Sequence, residues 1–281
     1  MGQFKKEKPI YYKTEEEIAL MRTSGELVSR TLAFVAETLR EGLTGLELDR
    51  KAEAFIRDHG GRPVFKGYNG FPATLCISRN EVVVHGVPDN KPFKAGDIIS
   101  VDCGTYLNDF VGDCAYTFVV GHTTPEIERL LLTTRESLYK GIEQAVSGSR
   151  VGDISYAIQS YCESRRYGVV RDLVGHGVGR QLHEAPEVPN FGKRGKGVLL
   201  KEGLTLAIEP MINMGTREVR QLSDGWTIVT NDRKPSAHFE HSIVVRQKQA
   251  ELLTTHEYIE AAIKNNSELY VISQKIPTFA A

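Results

Sequence analysis

Apolar residues recur at three- and four-residue spacings along two stretches near the start of the chain. The first stretch follows Thr14 and Glu17, which have the spacing of a helical capping box, and it continues towards Gly42. The second stretch follows Thr44 and Glu47, which have the same spacing. We therefore predict two helices that each bury one apolar face, the second helix shorter than the first.

Helical and strand-like patterns then alternate along the rest of the chain. Proline is favoured at the first helical position, so Thr124 and Pro125 predict a third helix. A fourth helix is predicted after Gly152, and a last one over roughly residues 256–264. Short apolar runs predict strands at residues 98–101, 115–120, 169–174, 204–208, 226–229 and 239–245. Helices followed by strands occur twice, which indicates an α+β fold with two similar halves around one sheet.

The composition narrows the class of protein. The chain has 281 residues, 41% of them hydrophobic, which is enough for one large domain; we expect it over residues 14–281, after a lead-in over residues 1–13. With 35 basic and 36 acidic residues, the net charge of -1 gives no electrostatic case for nucleic acid or a membrane surface. No apolar run approaches the ~20 residues of a membrane span. The four cysteines lack zinc-site spacing, so we expect a reduced, cytoplasmic protein.

Two aspartates in the middle of the chain are the first candidates for chemistry. Asp102 and Asp113 each follow or precede a strand-like run, and residues 106–109 between them contain turn formers. A hairpin would bring both carboxylates to one face of the sheet. A buried carboxylate is costly unless it is paired or binds a metal. The pair is therefore either a set of hydrogen-bonded core acids or part of a metal site.

Three later segments supply further ligand types. His176 and His183 lie in a glycine-rich stretch, Glu209 ends a strand-like run, and Glu240 lies in another. Each residue alone is ordinary, since single histidines and glutamates are usually structural or solvated. Together with the aspartates they make four carboxylates and one metal-binding imidazole. Such oxygen-rich sets suit Mn, Fe, Co or Zn, and bridging carboxylates allow two ions.

These segments resemble the type I methionine aminopeptidases. The matching segments, in order, are NEVVVHGVPD, VDCGTYLNDFVGDCAYTF, GHGVGRQLHEAP, LAIEPMIN and DGWTIVTNDRKPSAHFEHSIVV. The resemblance spans roughly residues 14–250. It implies the pita-bread fold, in which pseudo-twofold halves flank a curved antiparallel sheet. It also implies that the metal ligands are Asp102, Asp113, His176, Glu209 and Glu240.

The resemblance further implies removal of the N-terminal methionine from nascent proteins when the second residue is small. A hydroxide bridging two divalent ions would attack the first peptide bond. Glu209 would shuttle the proton, His183 would contact the carbonyl oxygen, and His85 would contact the nitrogen of the second residue. The substrate pocket implied in this way consists of Tyr68, Phe71, Cys76, His85, Leu182, His183 and Trp226.

Two positions depart from the family pattern. Leu182 stands where many relatives carry phenylalanine, and Phe65 where some carry cysteine, so the shape of the pocket is expected to differ. The resemblance also implies a monovalent cation near Asn80, Val82 and Ser236. The ribosome is a candidate partner, although nothing in the sequence indicates the association.

Two alternatives stay open at this point. The first is an Xaa-Pro aminopeptidase, although such enzymes usually carry a large N-terminal domain and only 84 residues precede His85. The second is a metal-free peptide-binding protein on the same scaffold. Proteins of that kind lose ligands, whereas all five ligand positions here are acidic or histidine.

Overall fold

In a computed structural model of the protein, residues 9–272 are described, and the first eight residues and residues 273–281 lie outside this span. The described part contains five α-helices and one short 3-10 turn, at Tyr68–Gly70. The helices are α1 (Glu15–Thr38), α2 (Gly45–Asp58), α3 (Pro125–Ile142), α4 (Val151–Glu163) and α5 (Glu257–Asn265).

Both predicted capping boxes are present. The hydroxyl of Thr14 accepts the N–H of Glu17 at 3.3 Å, and the carboxylate of Glu17 accepts the N–H of Thr14 at 3.1 Å. Thr44 and Glu47 make the same reciprocal pair. These bonds satisfy backbone donors that have no partner inside the helix, and they fix where α1 and α2 begin.

Two helix boundaries differ from the sequence prediction. Helix α1 ends at Thr38, because the chain turns before Gly42, whose φ of +80° belongs to that turn. Helix α4 begins at Val151, so Gly152 lies inside its first turn. A side chain at Gly152 would meet the carbonyl oxygens of Lys193 and Lys196 at 2.3 and 2.6 Å, so this glycine serves close packing.

Fifteen short or medium strands lie among the described residues. They are β1 (Arg62–Pro63), β2 (Leu75–Arg79), β3 (Val82–Val84), β4 (Ile98–Leu107), β5 (Phe110–Val119), β6 (Gly168–Val169), β7 (Gly175–Gly177), β8 (Glu184–Val188), β9 (Thr205–Ile208), β10 (Met211–Asn213), β11 (Val219–Gln221), β12 (Ile228–Thr230), β13 (Ser236–His238), β14 (Glu240–Val244) and β15 (Glu251–Leu252).

Nine of these strands form the main sheet, and its pairs are antiparallel. Their order is β1-β4-β5-β14-β9-β7-β8, with β2 beside β4 and β15 beside β14. Strands that precede α3 therefore meet strands that follow α4 at the β5–β14 pair, which agrees with the expected two halves. Two three-stranded sheets, β13-β10-β6 and β11-β12-β3, complete the set.

The predicted hairpin is confirmed as β4 and β5, which pair along ten positions. Asn108 and Asp109 form its two-residue turn with φ angles of 53° and 65°. Positive φ at both positions is the geometry that matches the twist of a two-residue hairpin, and Asn and Asp tolerate it.

Helices cover one face of this hairpin. Val28 and Leu32 of α1 and Leu131 of α3 share a buried apolar cluster with Cys103 and Cys114 of the hairpin. The alternate hairpin positions face the other side of the sheet, where polar groups gather. Among residues 9–272, no helix is both long and apolar enough to cross a membrane.

Candidate active site

Five neighbouring strands of the main sheet each bring one of the predicted ligands to the same region. Asp102 lies on β4, Asp113 on β5, Glu240 on β14 and His176 on β7, and Glu209 directly follows β9. These strands are consecutive in the sheet, in the order β4-β5-β14-β9-β7. Residues separated by more than 130 positions in the chain thus become neighbours.

Strand register places the carboxylates on one face. Asp102 and Glu240 both lie opposite Ala115, from the two sides of β5. Residues directly opposite each other in an antiparallel pair point to the same side of the sheet. Asp113 is two residues before Ala115 on the same strand, so its side chain also points there.

The ligand-type atoms converge around His176. Its Nε2 lies 3.7 Å from Oδ2 of Asp113 and 3.5 Å from Oε1 of Glu209. Side-chain ligand atoms of Asp113, His176 and Glu240 all lie within 4.8 Å of one another. The Nδ1–H of His176 donates to the carbonyl oxygen of Gly177 at 2.9 Å, which directs the lone pair of Nε2 into the site.

Burial and mutual repulsion disfavour the ionised forms of the four carboxyl groups when no cation is present. Burial raises the pKa of Asp102 to about 7. Burial, and then the neighbouring carboxylates, raise the pKa values of Asp113, Glu209 and Glu240 well above their usual range. Acids gathered in this way are stabilised as carboxylates when a cation lies between them.

Two carboxylate oxygens that lack hydrogen-bond partners also suit a metal site. Oδ1 of Asp102 and Oδ1 of Asp113 are buried and have no hydrogen-bond partner within the described part of the chain. Buried polar atoms are almost always paired, so these two oxygens have the character of ligand atoms. An oxygen-rich set with one imidazole is the donor set that Mn, Fe, Co and Zn accept. The residues present therefore fit a divalent metal centre.

A second cluster of metal-ligand types, Cys114, His241 and His256, lies on the opposite face of the sheet. Its geometry does not suit a metal. The rings of His241 and His256 are stacked, with centroids 3.8 Å apart and planes at 28°, so their in-plane lone pairs do not converge. Hydroxyl groups occupy both nitrogens of His241, and the thiol of Cys114 and Nε2 of His256 both donate to the carbonyl oxygen of Glu240. We interpret the cluster as support for the β14 backbone.

A pocket of about 320 Å³ opens above the ligand set. It brings together every residue that the sequence predicted for metal, catalysis and substrate binding. The predicted residues that line it are Phe65, Tyr68, Phe71, Cys76, His85, Asp102, Asp113, His176, Leu182, His183, Glu209, Trp226 and Glu240. Apolar side chains form one side of the pocket and the carboxylates form its floor.

The two histidines outside the ligand set are held in different ways. Nδ1 of His183 lies 2.7 Å from the hydroxyl of Tyr68, and its ring packs edge-on against His176 at 4.4 Å. His85 has a φ of +56°, a backbone conformation that residues other than glycine adopt mainly where the tertiary structure imposes it. Burial lowers the pKa of His85, which favours its neutral form.

Phe71 and Trp226 form the aromatic wall. Their ring centroids are 5.2 Å apart and their planes meet at 80°, an edge-to-face contact. Trp226 was expected on a strand, but it precedes β12 in a turn. The carboxylate of Asp224 accepts the N–H groups of Trp226 and Thr227 and so holds that turn. A strand was predicted over residues 169–174, but β6 ends at Val169, so residues 170–174 lie outside it.

Two residues near Glu209 were not among the predicted site residues. Nδ2 of Asn190 donates to the carbonyl oxygen of Glu209 at 3.0 Å, and Nε2 of His238 lies 3.7 Å from Oε2 of Glu209. The position of His238 two residues before Glu240 was the available signal, because alternate strand residues share a face. No local pattern marks Asn190.

The loop proposed for a monovalent cation brings two of its three residues into contact. The carbonyl oxygen of Asn80 accepts the N–H of Ser236 at 2.9 Å. The amide oxygen of Asn80 accepts the N–H of Ile98, and the hydroxyl of Ser236 donates to Asn213.

The sequence profile of metallopeptidase family M24 matches residues 19–247. This span contains all five ligand-type residues and every residue that lines the pocket. The chain belongs to metallopeptidase family M24. Its pita-bread fold, predicted from the sequence, is therefore confirmed.

Within family M24, the chain is similar to methionine aminopeptidases. It is 52% identical to the methionine aminopeptidase of Clostridium perfringens over 245 residues, which are 87% of this chain and 98% of the relative. It is 47% identical to methionine aminopeptidase 1 of Bacillus subtilis over 87% of this chain and 99% of that one. The predicted membership of the methionine aminopeptidase group is thus confirmed.

Solved structures of family M24 agree. The methionine aminopeptidase of Rickettsia prowazekii has a TM-score of 0.87 and 40% identity, over 88% of this chain and 100% of that one. The enzyme of Thermotoga maritima has a TM-score of 0.86 and 44% identity over the same shares. The prolidase of Pyrococcus furiosus shares the fold, with a TM-score of 0.72 at 22% identity, and this chain covers 66% of it.

Proposed function

We propose that this protein is a methionine aminopeptidase that removes the N-terminal methionine of proteins and peptides when the second residue is small. One observation carries the proposal. Five metal-ligand residues from five neighbouring strands form the floor of a pocket whose wall is apolar and aromatic. The similarity to methionine aminopeptidases along nearly their whole length supports the same conclusion.

The proposed metal ligands are Asp102, Asp113, His176, Glu209 and Glu240. Asp113 and Glu240 lie on the adjacent strands β5 and β14 and would hold the ions together with the other three residues. Divalent ions at such a site supply Lewis acidity, which lowers the pKa of a water molecule and polarises a carbonyl group. The identity of the ions within the group Co, Mn, Fe and Zn is left to experiment.

The proposed roles of the chain's own residues are those that the family resemblance implies, and the positions of these residues around the pocket support them. Glu209, whose carboxyl pKa is raised by burial, accepts a proton from water at one oxygen and returns it to the departing amine. The hydroxyl of Tyr68 lies 2.7 Å from Nδ1 of His183. In the tautomer that we propose, this hydroxyl donates to Nδ1, and Nε2–H of His183 donates to the substrate carbonyl oxygen. His85, which also lines the pocket, contacts the nitrogen of the second residue.

Pocket shape accounts for the proposed preference for methionine. A methionine side chain is long, flexible and apolar, and its sulfur packs well against aromatic rings. Phe71 and Trp226 offer such rings, and Cys76, Leu182 and Phe65 add apolar surface. Phe65 also packs closely against Gly104, where a side chain would meet its ring at 2.7 Å. Phe65 and Leu182 therefore determine the local shape of the pocket. Because relatives carry other residues at these positions, we expect the side-chain selectivity of this protein to differ from theirs.

The function is tested with peptides that begin Met-Gly, Met-Ala, Met-Lys and Ala-Pro, using protein stripped of metal and then supplied with Mn or Co. Release of methionine only with metal, and only when a small residue follows, is the expected result. Cleavage of Ala-Pro alone would move the chain to the proline-specific branch of the fold. Bound metal is measured in parallel, and its absence at every concentration would favour the peptide-binding alternative.

Four further proposals concern the extent, location, partner and ions of the enzyme. Residues 14–281 are proposed to act as one catalytic unit, since both halves of the described sheet supply ligands. A cytoplasmic location is supported by four buried cysteines that are all free. Because the proposed substrates are nascent chains, we also propose that the protein associates with the ribosome, which cosedimentation would test. Finally, we propose a monovalent cation near Asn80, Val82 and Ser236, which the dependence of thermal stability on potassium would test.

A further inference from the structure

The segment before α1 is tied into the second half of the molecule. Ile10 forms a bridge with Ala185, and Tyr12 forms one with Leu204. The N–H of Lys13 donates to the carbonyl oxygen of Gly203 at 2.8 Å. These contacts bring residue 13 beside Gly203, which lies 190 positions later in the chain.

The side chain of Lys13 forms a buried ion pair. Its Nζ lies 2.6 Å from Oε2 of Glu184, and the two side chains are only 4% and 5% exposed. The other carboxylate oxygen of Glu184 accepts the N–H of Gln181 at 3.2 Å. Nζ of Lys13 also donates to the carbonyl oxygen of Tyr11 at 3.4 Å. Both charges are therefore hydrogen-bonded, which is what a buried ion pair requires.

The pair is enclosed by the loop between β7 and β8, residues 178–183, which we call the histidine loop. A side chain at Gly179 would meet Oε1 of Glu184 and Cε of Lys13 at 2.5 Å each. The backbone thus wraps directly over the two charged groups. Without a Cβ at this position, the loop can approach them closely.

The histidine loop has little regular structure of its own. Residues 178–183 lie in no strand or helix, and the N–H of Gly179 donates to the carbonyl oxygen of Gln181 within the loop. The loop nevertheless carries His183, which lines the pocket beside His176. Glu184 is the next residue in the chain, so the ion pair anchors the backbone directly after His183.

We propose that Lys13, acting through Glu184, is a positioning residue for His183. The proposal rests on the proposed function. It assigns to the segment before α1 a role in the active site rather than that of a passive lead-in. If Lys13 loses its charge, the Glu184 carboxylate is left buried without its cation. The loop then has to open to water, and the imidazole of His183 moves away from the substrate carbonyl group.

An exposed ion pair elsewhere on the loop provides a contrast. Arg180 lies 3.1 Å from Glu17, but its side chain is 57% exposed. Exposed pairs of this kind are screened and contribute little. The buried pair is therefore the contact through which the segment before α1 controls the loop.

The test compares Lys13→Met, Glu184→Gln and the double variant in the full chain loaded with Mn. Arg22→Gln is the control, because Arg22 makes an exposed ion pair with Glu251 away from the loop. We expect Lys13→Met to lower kcat for a Met-Ala peptide by about 10- to 100-fold, the scale of a misplaced catalytic group. KM and bound metal should stay close to the values of the unchanged protein, and Arg22→Gln should match it throughout.

Coupling to His183 separates positioning from general damage. In a His183→Ala background, Lys13→Met should cause little further loss of kcat. An equal loss in both backgrounds would overturn the proposal. The double variant Lys13→Met with Glu184→Gln leaves no unpaired charge, so it should melt near the unchanged protein while its kcat stays low. This variant keeps the test decisive if Lys13→Met alone folds poorly.

Amide hydrogen exchange tests the loop without any activity. Peptides covering residues 177–184 should exchange faster in Lys13→Met, while peptides from α3 should not change. If the unchanged protein releases no methionine but the loop still exchanges faster in the variant, the proposed function fails and the anchoring of the loop stands. Unchanged exchange in residues 177–184 would overturn the positioning role.

Discussion

Nε2 of His238 lies 3.7 Å from Oε2 of Glu209, on the side of the carboxylate away from His176. His238 is almost fully buried, and this nitrogen has no hydrogen-bond partner within the described residues. Burial lowers the pKa of His238 to about 3, so its ring is neutral and one nitrogen can donate. Each oxygen of Glu209 thus faces one imidazole, Oε1 at 3.5 Å from His176 and Oε2 at 3.7 Å from His238.

Removal of this imidazole should affect both turnover and metal binding. We expect His238→Leu to lower kcat and metal affinity by about 10- to 100-fold, as for other groups that orient metal ligands. His238→Gln keeps a donor and should lose less. Steady-state kinetics and metal titration would measure both effects. Equal losses in the two variants would mean that packing, rather than the N–H group, is what His238 supplies.

The stability of the metal-free protein should fall as the pH rises from about 4 to 7. The pKa of Asp102 is raised from 3.8 to about 7 in the folded state, so the folded chain holds a proton that the unfolded chain has released. Such a group stabilises the fold fully below its unfolded pKa, and that stability is lost as the pH rises through the folded pKa. Urea unfolding in the presence of a chelator, at pH values across this window, would measure the slope.

Asp102→Asn should make that slope shallower. At pH 7 the metal-free variant should be more stable than the metal-free unchanged protein by about 1–3 kcal/mol, because one buried charge is gone. Asp58→Asn alters an exposed residue and should leave the slope as it was. If Asp102→Asn behaves like Asp58→Asn, Asp102 is ionised in the metal-free protein.

Fluorescence of Trp226 should report occupancy of the pocket. Trp226 is the one tryptophan in the sequence, and it lines the pocket in contact with Phe71. Added methionine should therefore change its emission in a saturable way. Phe71→Ala should weaken this binding by about 10-fold, since about 1.4 kcal/mol of packing is a factor of ten.

A matched aromatic pair outside the pocket gives the control for that titration. Phe34 stacks on Phe55 with centroids 4.8 Å apart, and neither residue lines the pocket. Phe34→Ala should bind methionine like the unchanged protein. A weaker signal in both variants would indicate a general loss of structure.

Gly25 should be intolerant of any side chain. A Cβ there would lie 1.8 Å from the carbonyl oxygen of Leu253, which is backbone and cannot rotate away. We expect Gly25→Ala to lower the free energy of unfolding by about 3 kcal/mol or more. Glu26→Ala, at the next and exposed position, should change it by less than about 0.5 kcal/mol. Denaturant titration would measure the free energy of unfolding of both variants. Similar values for the two would show that α1 can shift to accommodate the added methyl group.

Local signals in the sequence predicted a large part of the fold. Capping boxes at Thr14 and Thr44 fixed two helix starts, and turn formers at Asn108 and Asp109 fixed the hairpin. These features depend on residues close together in the chain, where propensity and hydrogen bonding act directly. The helix that was predicted to reach Gly42 ended at Thr38, since helix ends depend on what the next segment packs against.

The contacts that the sequence did not predict join distant segments. Lys13 and Glu184 are 171 positions apart, and nothing in the pattern around either residue indicates the other. Asn190 approaches Glu209 only because β8 and β9 lie near β7 in the sheet. The candidate ligands were accessible from the sequence because their motifs resemble a known family. Periodicity alone did not specify them.

The two faces of the central strands β5 and β14 carry different types of metal-ligand side chain. Neighbouring residues along a strand point to opposite faces, so a shift of one residue exchanges the two sets. Asp113 and Glu240 face the pocket, whereas the next residues, Cys114 and His241, face away and lie opposite each other. A one-residue slip of these strands would exchange hard oxygen donors for soft sulfur and nitrogen donors. Under the proposed ligand assignment, the backbone pairing of β5 with β14 therefore decides which kind of donor faces the metal ions.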